Sequence, residues 1–433
     1  MTTRAIVIAA LMGLSQVSQA VLAGQEIVAN APASPATPAP AAAAETKFVW
    51  REYPSIRSGR FRIDFRARFA AQRRWSDSLS DDVDDERFDI ARRRVGVAGS
   101  FGDVLDFQVE REIDNDVPWR DVYVDVRPKR EVGVQVGKFK MPFSLDENTS
   151  ATNLDFAYRS MAASTLSPGR DRGIMVHGRL RGRLIGYEGG VFLHDGNNAL
   201  ANDPDEVQGD RTTALRLTIE PISNRKSRDD DLRFAVAWTG SDVPEGMTAI
   251  NGETPLHAHF FPSNLWVRGA RRRIGGELQW RPGPFSLKAE YIRLTQQRLG
   301  QSVTDGDLPD AVSDGWYVSG TWAITGESKS RGLERPNRPL PGGGFGALEL
   351  AGRVESMTFG SGAAAGEGSR SPRSDIILRN RDQAATFGVN WYVNRWVKVQ
   401  GNIIRESIED PARGPVPSRP VFWSSVVRFQ VVL

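Results

Sequence analysis

Between Gly59 and Phe69 the chain reads GRFRIDFRARF, so Arg60, Arg62, Arg66 and Arg68 alternate with Phe61, Ile63, Phe65, Ala67 and Phe69. A guanidinium is charged at any physiological pH and offers a planar fork of donors matched to phosphate or carboxylate. In a strand, successive side chains point to opposite faces. This segment therefore carries a ladder of fixed positive charge on one face and an apolar surface on the other. Arg92 and Arg94 repeat the motif in the next alternating segment. Same-face neighbours in a strand lie about 7 Å apart, a spacing at which a partly dehydrated anion steps from donor to donor rather than falling into one deep well. The chemistry is electrostatic binding and passage, with no bond made or broken. A half-exposed strand of a soluble antiparallel sheet has the same alternation, so the rest of the chain must decide the setting.

Other chemistry is thinly supplied. The 433 residues contain no cysteine, which removes disulfides and thiolate metal sites. His257 and His259 lack nearby acids dense enough for a metal site, and His177 and His194 have no nucleophile context that would make a hydrolase triad. Gly342, Gly343 and Gly344 lack the Lys-Ser/Thr of a phosphate-binding loop. The acidic runs 81–86 and 203–210 read as solvated loop charge. No enzyme activity, cofactor, metal or nucleic-acid partner is expected. The net charge is only +3, so the positive character is local, and of 56 lysines and arginines only eight are lysine.

The N-terminus sets the compartment. Arg4 precedes an apolar run from Ala5 to Leu14, and small-x-small cleavage patterns end at Ala20 and Ala23, so residues 1–23 read as a secretory signal peptide. Residues 24–48, with the Pro/Ala-rich tract Ala31–Ala44, read as a disordered linker. From 49 to 433 short alternating segments recur without a domain break. About sixteen are read, from 59–70 and 88–99 to 395–408 and 421–433. Tight turns such as Pro128-Lys129-Arg130 and Arg281-Pro282-Gly283-Pro284 interleave with long polar loops at 138–171, 195–210, 241–268, 298–313, 326–345 and 359–382, and these long loops are expected to be extracellular or to fold into the pore. Mean hydropathy is -0.38, which argues against a helical membrane protein but not against a barrel, whose inward polar residues cancel the outward apolar ones. The fold class expected is all-β, a transmembrane antiparallel barrel of about sixteen strands.

Three stretches carry a resemblance. They are Val136-Gly137-Lys138-Phe139-Lys140-Met141-Pro142-Phe143, Phe156-Ala157-Tyr158-Arg159-Ser160, and Ser167 to Gly178 with its Pro168-Gly169-Arg170-Asp171-Arg172-Gly173 core. Together with Gly315-Trp316-Tyr317-Val318 and Asn390-Trp391-Tyr392-Val393-Asn394, they are similar to the phosphate-selective porin O and P family, from about Arg51 to the end. The resemblance implies a homotrimer in the outer membrane of a Gram-negative type envelope, amid lipid and lipopolysaccharide. It also implies a third loop folded into the lumen and a basic route for phosphate or pyrophosphate. On that basis Lys138, Lys140, Arg159, Arg170 and Arg172 are the candidates for the constriction, beside the ladder of Arg60, Arg62, Arg66, Arg68, Arg92 and Arg94.

Each assignment has a counter-reading in the residues. Asp64, Asp106, Glu110, Asp121 and Asp125 share the inward parity and would neutralise part of the ladder. Arg93 has the parity of Val95 and Val97. Lys138 has that of Val132, Val134 and Val136, so its inward role requires the chain to leave the strand near Gly137. A general or organic-anion porin and a non-conducting structural barrel are the competing functions. The chain ends on Leu433 rather than an aromatic residue, while the outward alternation Val427, Phe429, Val431 persists.

Overall fold

The computed structural model describes residues 45–433 except 51–52, 78–85, 114–117, 199–210, 224–229, 249, 262–264, 331–334, 362–376 and 417–418. The signal-peptide reading and both acidic runs, apart from Glu86, lie outside the described residues. Residues 46–48, expected in the linker, instead begin a strand. β1 (Thr46–Trp50) and β2 (Pro54–Ser58) form an antiparallel hairpin.

Sixteen strands make the wall: β3 (Phe61–Ser76), β4 (Glu86–Phe101), β5 (Leu105–Glu112), β6 (Trp119–Lys129), β7 (Val132–Lys140), β8 (Arg170–Leu180), β9 (Ile185–Phe192), β10 (Thr212–Ser223), β11 (Asp230–Met247), β14 (Trp266–Pro282), β15 (Phe285–Arg298), β16 (Leu308–Ala323), β17 (Ala347–Ser361), β18 (Asn380–Tyr392), β19 (Val397–Ile408) and β20 (Val421–Val432). β12 (Gly252–Glu253) and β13 (His259–Phe261) form a small hairpin within a loop. Every wall strand pairs antiparallel with its neighbours, and β20 pairs with β3 from Val432↔Arg68 to Ser424↔Ser76, closing the barrel. Closure leaves no wall edge unpaired, which is the condition for a sheet to sit in hydrocarbon. β2 continues the sheet along the start of β3, with Ser55 opposite Asp64.

The alternation sorts the two faces. Phe65, Phe69, Val95, Val124, Val136, Ile174, Trp280, Trp316, Trp322 and Trp423 are exposed outward, whereas Asp64, Gln72, Arg94, Glu110 and Glu112 are buried inward. The loops sort by end: turns such as 130–131 and 283–284 lie at one end, and 141–169, 193–211 and 248–265 at the other. Short turns face the periplasm in barrels of this kind. Segment 324–346 departs from the expectation. It joins β16 to β17, an even-to-odd connection, so parity puts this long segment at the tight-turn end rather than among the outer loops. Its Lys329 turns back into the barrel.

Loop 141–169 folds across the interior. Phe143, Met161, Ala162 and Leu166 join an apolar cluster with Ile292, Leu294, Met357, Ile404 and Phe422 of the far wall and with Ile250, Leu256, Phe260 and Phe261 of loop 248–265. The interior is thus filled on the β14–β20 side and left open on the β3–β8 side. On β4 the inward positions below Arg94 are Gly96 and Ala98, which keep that side clear.

Candidate pore and its arginine wall

Two different uses of charge divide the lumen. On the β14–β20 side, side chains grip the backbone of loop 141–169. Lys398 Nζ donates to Leu154 O at 2.6 Å, Arg353 Nη1 to Tyr158 O at 3.2 Å, and Arg273 Nε to Leu166 O at 2.6 Å, while Arg428 reaches Ala157 O. In the other direction, Leu145 N and Asp146 N donate to the two oxygens of Glu290, and Met161 N donates to Glu355 Oε2 at 2.7 Å. The central tie is Asp155, whose oxygens lie 2.6 Å from Lys288 Nζ and 2.9 Å from Lys329 Nζ, with Lys329 also bound to Glu349. Burial would raise the Asp155 carboxyl, but Lys288 and Lys329 outweigh it and hold it well below the usual carboxylate range.

On the β3–β8 side lies a cavity of about 690 Å³, bounded by nine basic and four acidic side chains. Register brings the arginines together: Arg68 stands opposite Arg94, and Ala70 opposite Arg92. Like charges directly opposed are destabilising, and glutamates from β5 relieve the first pair. Glu110 lies 3.1 Å from Arg68 Nη1 and 2.9 Å from Arg94 Nη1, while Glu112 lies 2.8 Å from Arg94 Nη2 and 3.6 Å from Arg120 Nε. Arg170 makes a two-pronged contact with Asp121 at 3.0 and 3.1 Å. Arg159 and Lys140 hold Glu147 of the loop at 3.0 and 3.5 Å and also bind the loop's carbonyls. Burial would raise the Glu147 carboxyl, but Arg159, Lys140 and Arg170 together hold it below its ordinary value.

Two cations are left over. Arg66 donates to Gln108 Oε1 at 3.2 Å and stacks over Tyr53 at 5.3 Å, with no carboxylate partner among the described residues. Arg92 has neither a hydrogen bond nor an ion pair among the described residues, and its Nη1 is buried without an acceptor. Its strongest electrostatic neighbours are the like charges Arg428, Arg94 and Arg159, against a weaker contribution from Glu112. A second cavity of about 280 Å³ at the tight-turn end is bounded by Tyr53, Arg335, Arg395 and Lys398, and it shares Arg68 and Ser150 with the first. Arg68 therefore stands where the two spaces meet.

Of the residues proposed from sequence, Arg66, Arg68, Arg92, Arg94, Lys140, Arg159 and Arg170 converge on the main cavity. Four do not. Arg60 sits exposed in the turn before β3. Arg62 has the inward parity but lies half exposed near the barrel rim, 3.2 Å from Asp64. Lys138 stays in register on β7, opposite Val122 and Arg172, because pairing continues unbroken through Gly137 to Lys140. Lys138 thus keeps the outward parity of Val136, and Arg172 that of Ile174 and Val176. Gly137 absorbs the local distortion with φ 133°, and a Cβ there would clash with the Val122 carbonyl oxygen. Arg120 and Glu112 also bound the cavity and were not singled out from sequence. Arg120 lies beyond a register shift between β5 and β6, which alternation alone does not reveal. Among the described residues no group of three or more His, Cys, Asp or Glu is placed to hold a metal.

Comparison with known proteins places these features. The family model described as phosphate-selective porin O and P matches residues 59–432. Porin O of Pseudomonas aeruginosa is 25% identical over 228 residues, 51% of this chain and 44% of that protein, so the match spans less than half of that relative's length. An uncharacterized protein of Caulobacter vibrioides is 26% identical over 350 residues, 76% of this chain and 67% of that protein. Among solved structures, the trimer form of OmpT, an outer membrane protein of Vibrio cholerae, matches 87% of this chain and 100% of its own at TM-score 0.54 and 10% identity. OprB of Pseudomonas putida matches 86% and 94% at TM-score 0.52 and 10% identity. At such identities the two structures speak for the barrel fold.

Proposed function

Because this chain belongs to the phosphate-selective porin O and P family, an outer-membrane porin family, we propose that it is a passive anion-selective pore for phosphate, pyrophosphate or short polyphosphate. The observation that carries the reading is Arg92, a cation with no ion-pair partner among the described residues, set among Arg94, Arg159 and Arg428 at the wall of the main cavity. An anion passing there replaces lost water with guanidinium donors. The neighbouring ladder is different in kind. Arg68, Arg94 and Arg170 are already paired with Glu110, Glu112 and Asp121, so they offer shallow attraction, and an anion held at Arg92 or Arg66 is free to leave. Conduction needs that balance of entry and release. Export by the 1–23 signal and assembly as a homotrimer, the form named for the Vibrio cholerae neighbour, complete the proposal.

Liposomes holding the refolded chain test the substrate class. Phosphate uptake should exceed that of a neutral sugar of similar size by about tenfold, the factor given by roughly 1.4 kcal/mol of differential stabilisation in the pore. Equal rates would make it a general porin, and no uptake by folded protein would make it a structural barrel.

A further inference from the structure

The outer face of β5–β8 changes chemistry near the long-loop end. Below, the outward positions are Val109, Val122, Val124, Val134, Val136, Ile174 and Val176; above, they become Arg111 on β5, Trp119 on β6, Lys138 on β7 and Arg172 on β8. Arg111 and Arg172 are exposed. The Arg111 guanidinium lies 5.6 Å from the centroid of Trp119, which is 48% exposed. Lys138 and Arg172 are direct register partners on adjacent strands, an arrangement that repulsion disfavours.

Among the described residues the wall supplies no ion pair to neutralise them. Arg111, Lys138 and the Arg172 side chain have no ion pair among the described residues. The nearby carboxylate, Asp171, is buried and taken up by the backbone N–H groups of Arg172 and His194 at 2.7 and 2.5 Å. Some outward arginines elsewhere have a carboxylate partner: Arg293 on β15 meets Asp314 on β16 at 3.6 Å, and Arg381 meets Glu409 at 2.8 Å. The β5–β8 patch is therefore a positive, aromatic-flanked surface at the depth where a bilayer presents headgroups.

We infer that this patch binds the sugar-linked phosphates of a lipopolysaccharide-type lipid in the outer leaflet, with a phosphate bridging Lys138 and Arg172 and the Arg111–Trp119 pair flanking the headgroup. A phosphate between the two opposed cations turns their repulsion into two charge-assisted hydrogen bonds. The inference rests on the outer-membrane placement and not on anion conduction, so either can fail without the other.

The test uses the full refolded chain in detergent, with native mass spectrometry and thermal melting in bisphosphorylated and dephosphorylated lipid A. The phosphorylated lipid should bind about tenfold more tightly, from roughly 1.4 kcal/mol of charge-assisted contact. The triple variant Arg111→Gln/Lys138→Gln/Arg172→Gln should lose that preference while keeping wild-type conductance. The single variant Lys138→Gln guards against a folding defect: it should melt higher than wild type in lipid-free detergent, because the repulsion is gone, and lower once phosphorylated lipid is present. Equal binding of the two lipids, or an unchanged preference in the triple variant, overturns the proposal. A triple variant that dissociates into monomers with its lipid preference intact also overturns it, and assigns the face to a subunit contact.

Discussion

Replacing Arg66 and Arg92 together by glutamate should turn the pore from anion-selective to cation-selective, with the sign of the reversal potential in a KCl gradient inverted. These two cations have no carboxylate partner among the described residues, so each reversal changes the local field by two full charges. A unit charge 4 Å from an ion contributes about 4 kcal/mol at an effective dielectric of about 20. Salt screens over about 8 Å at physiological strength, yet a surviving 1.4 kcal/mol is already about a tenfold change in permeability ratio. The paired residues provide the internal control. Arg170→Gln leaves Asp121 uncompensated and should shift selectivity in the same direction but by less, because its charge already has a counter-charge 3.0 Å away. If Arg170→Gln proves the stronger of the two, the filter lies at the loop.

Asp155→Ala should loosen the inward loop around residue 155. It removes the only carboxylate joining Lys288 of β15 to Lys329 of segment 324–346 among the described residues. Stranding one partner of a buried ion pair costs about 3–5 kcal/mol, more than any one of the loop's remaining ties, which are charge-assisted hydrogen bonds worth about 1.5–3 kcal/mol each beside the apolar cluster around Phe143, Met161 and Leu166. Single-channel conductance should rise, current noise should increase, and anion preference should fall as the lumen widens. Asp155→Asn keeps hydrogen-bonding capacity and should act in the same direction but more weakly. The pH dependence follows from the depressed carboxyl. A group whose pKa is lowered on folding stabilises the fold above its unfolded value of about 3.9 and loses that contribution only as pH falls through the lowered value. The loop should therefore stay shut from neutral pH to below about pH 4. Wild-type conductance that jumps between pH 6 and 5 would assign the latch elsewhere.

Much of the barrel was legible because strand period and membrane exposure write the same pattern. Phe65, Phe69 and Val95 had to face lipid if Arg66, Arg68 and Arg94 faced water, and the register bears out that division. Counting strand parity would also have put segment 324–346 at the tight-turn end; length and composition alone placed it outside. The site was legible only in part. Alternation identifies which residues share the lumen, but not which of them neutralise one another. That depends on cross-strand register, which joins Glu110 to both Arg68 and Arg94 and leaves Arg92 without a partner among the described residues. Lys138 and Arg172 were drawn inward by their loop-adjacent position, whereas the backbone at Gly137 accommodates its unusual φ without breaking the ladder. The far-wall cations, such as Lys398 and Arg353, hold loop carbonyls, and no local sequence pattern separates that use from ion conduction.

The most direct test of anion conduction at uncompensated arginines is single-channel current across a planar bilayer under a KCl gradient, with phosphate then added. The account predicts a reversal potential on the anion side and chloride current that falls as phosphate occupies the pore. The fall should be lost in Arg92→Gln. A reversal potential at zero or on the cation side, from demonstrably folded protein, would contradict it.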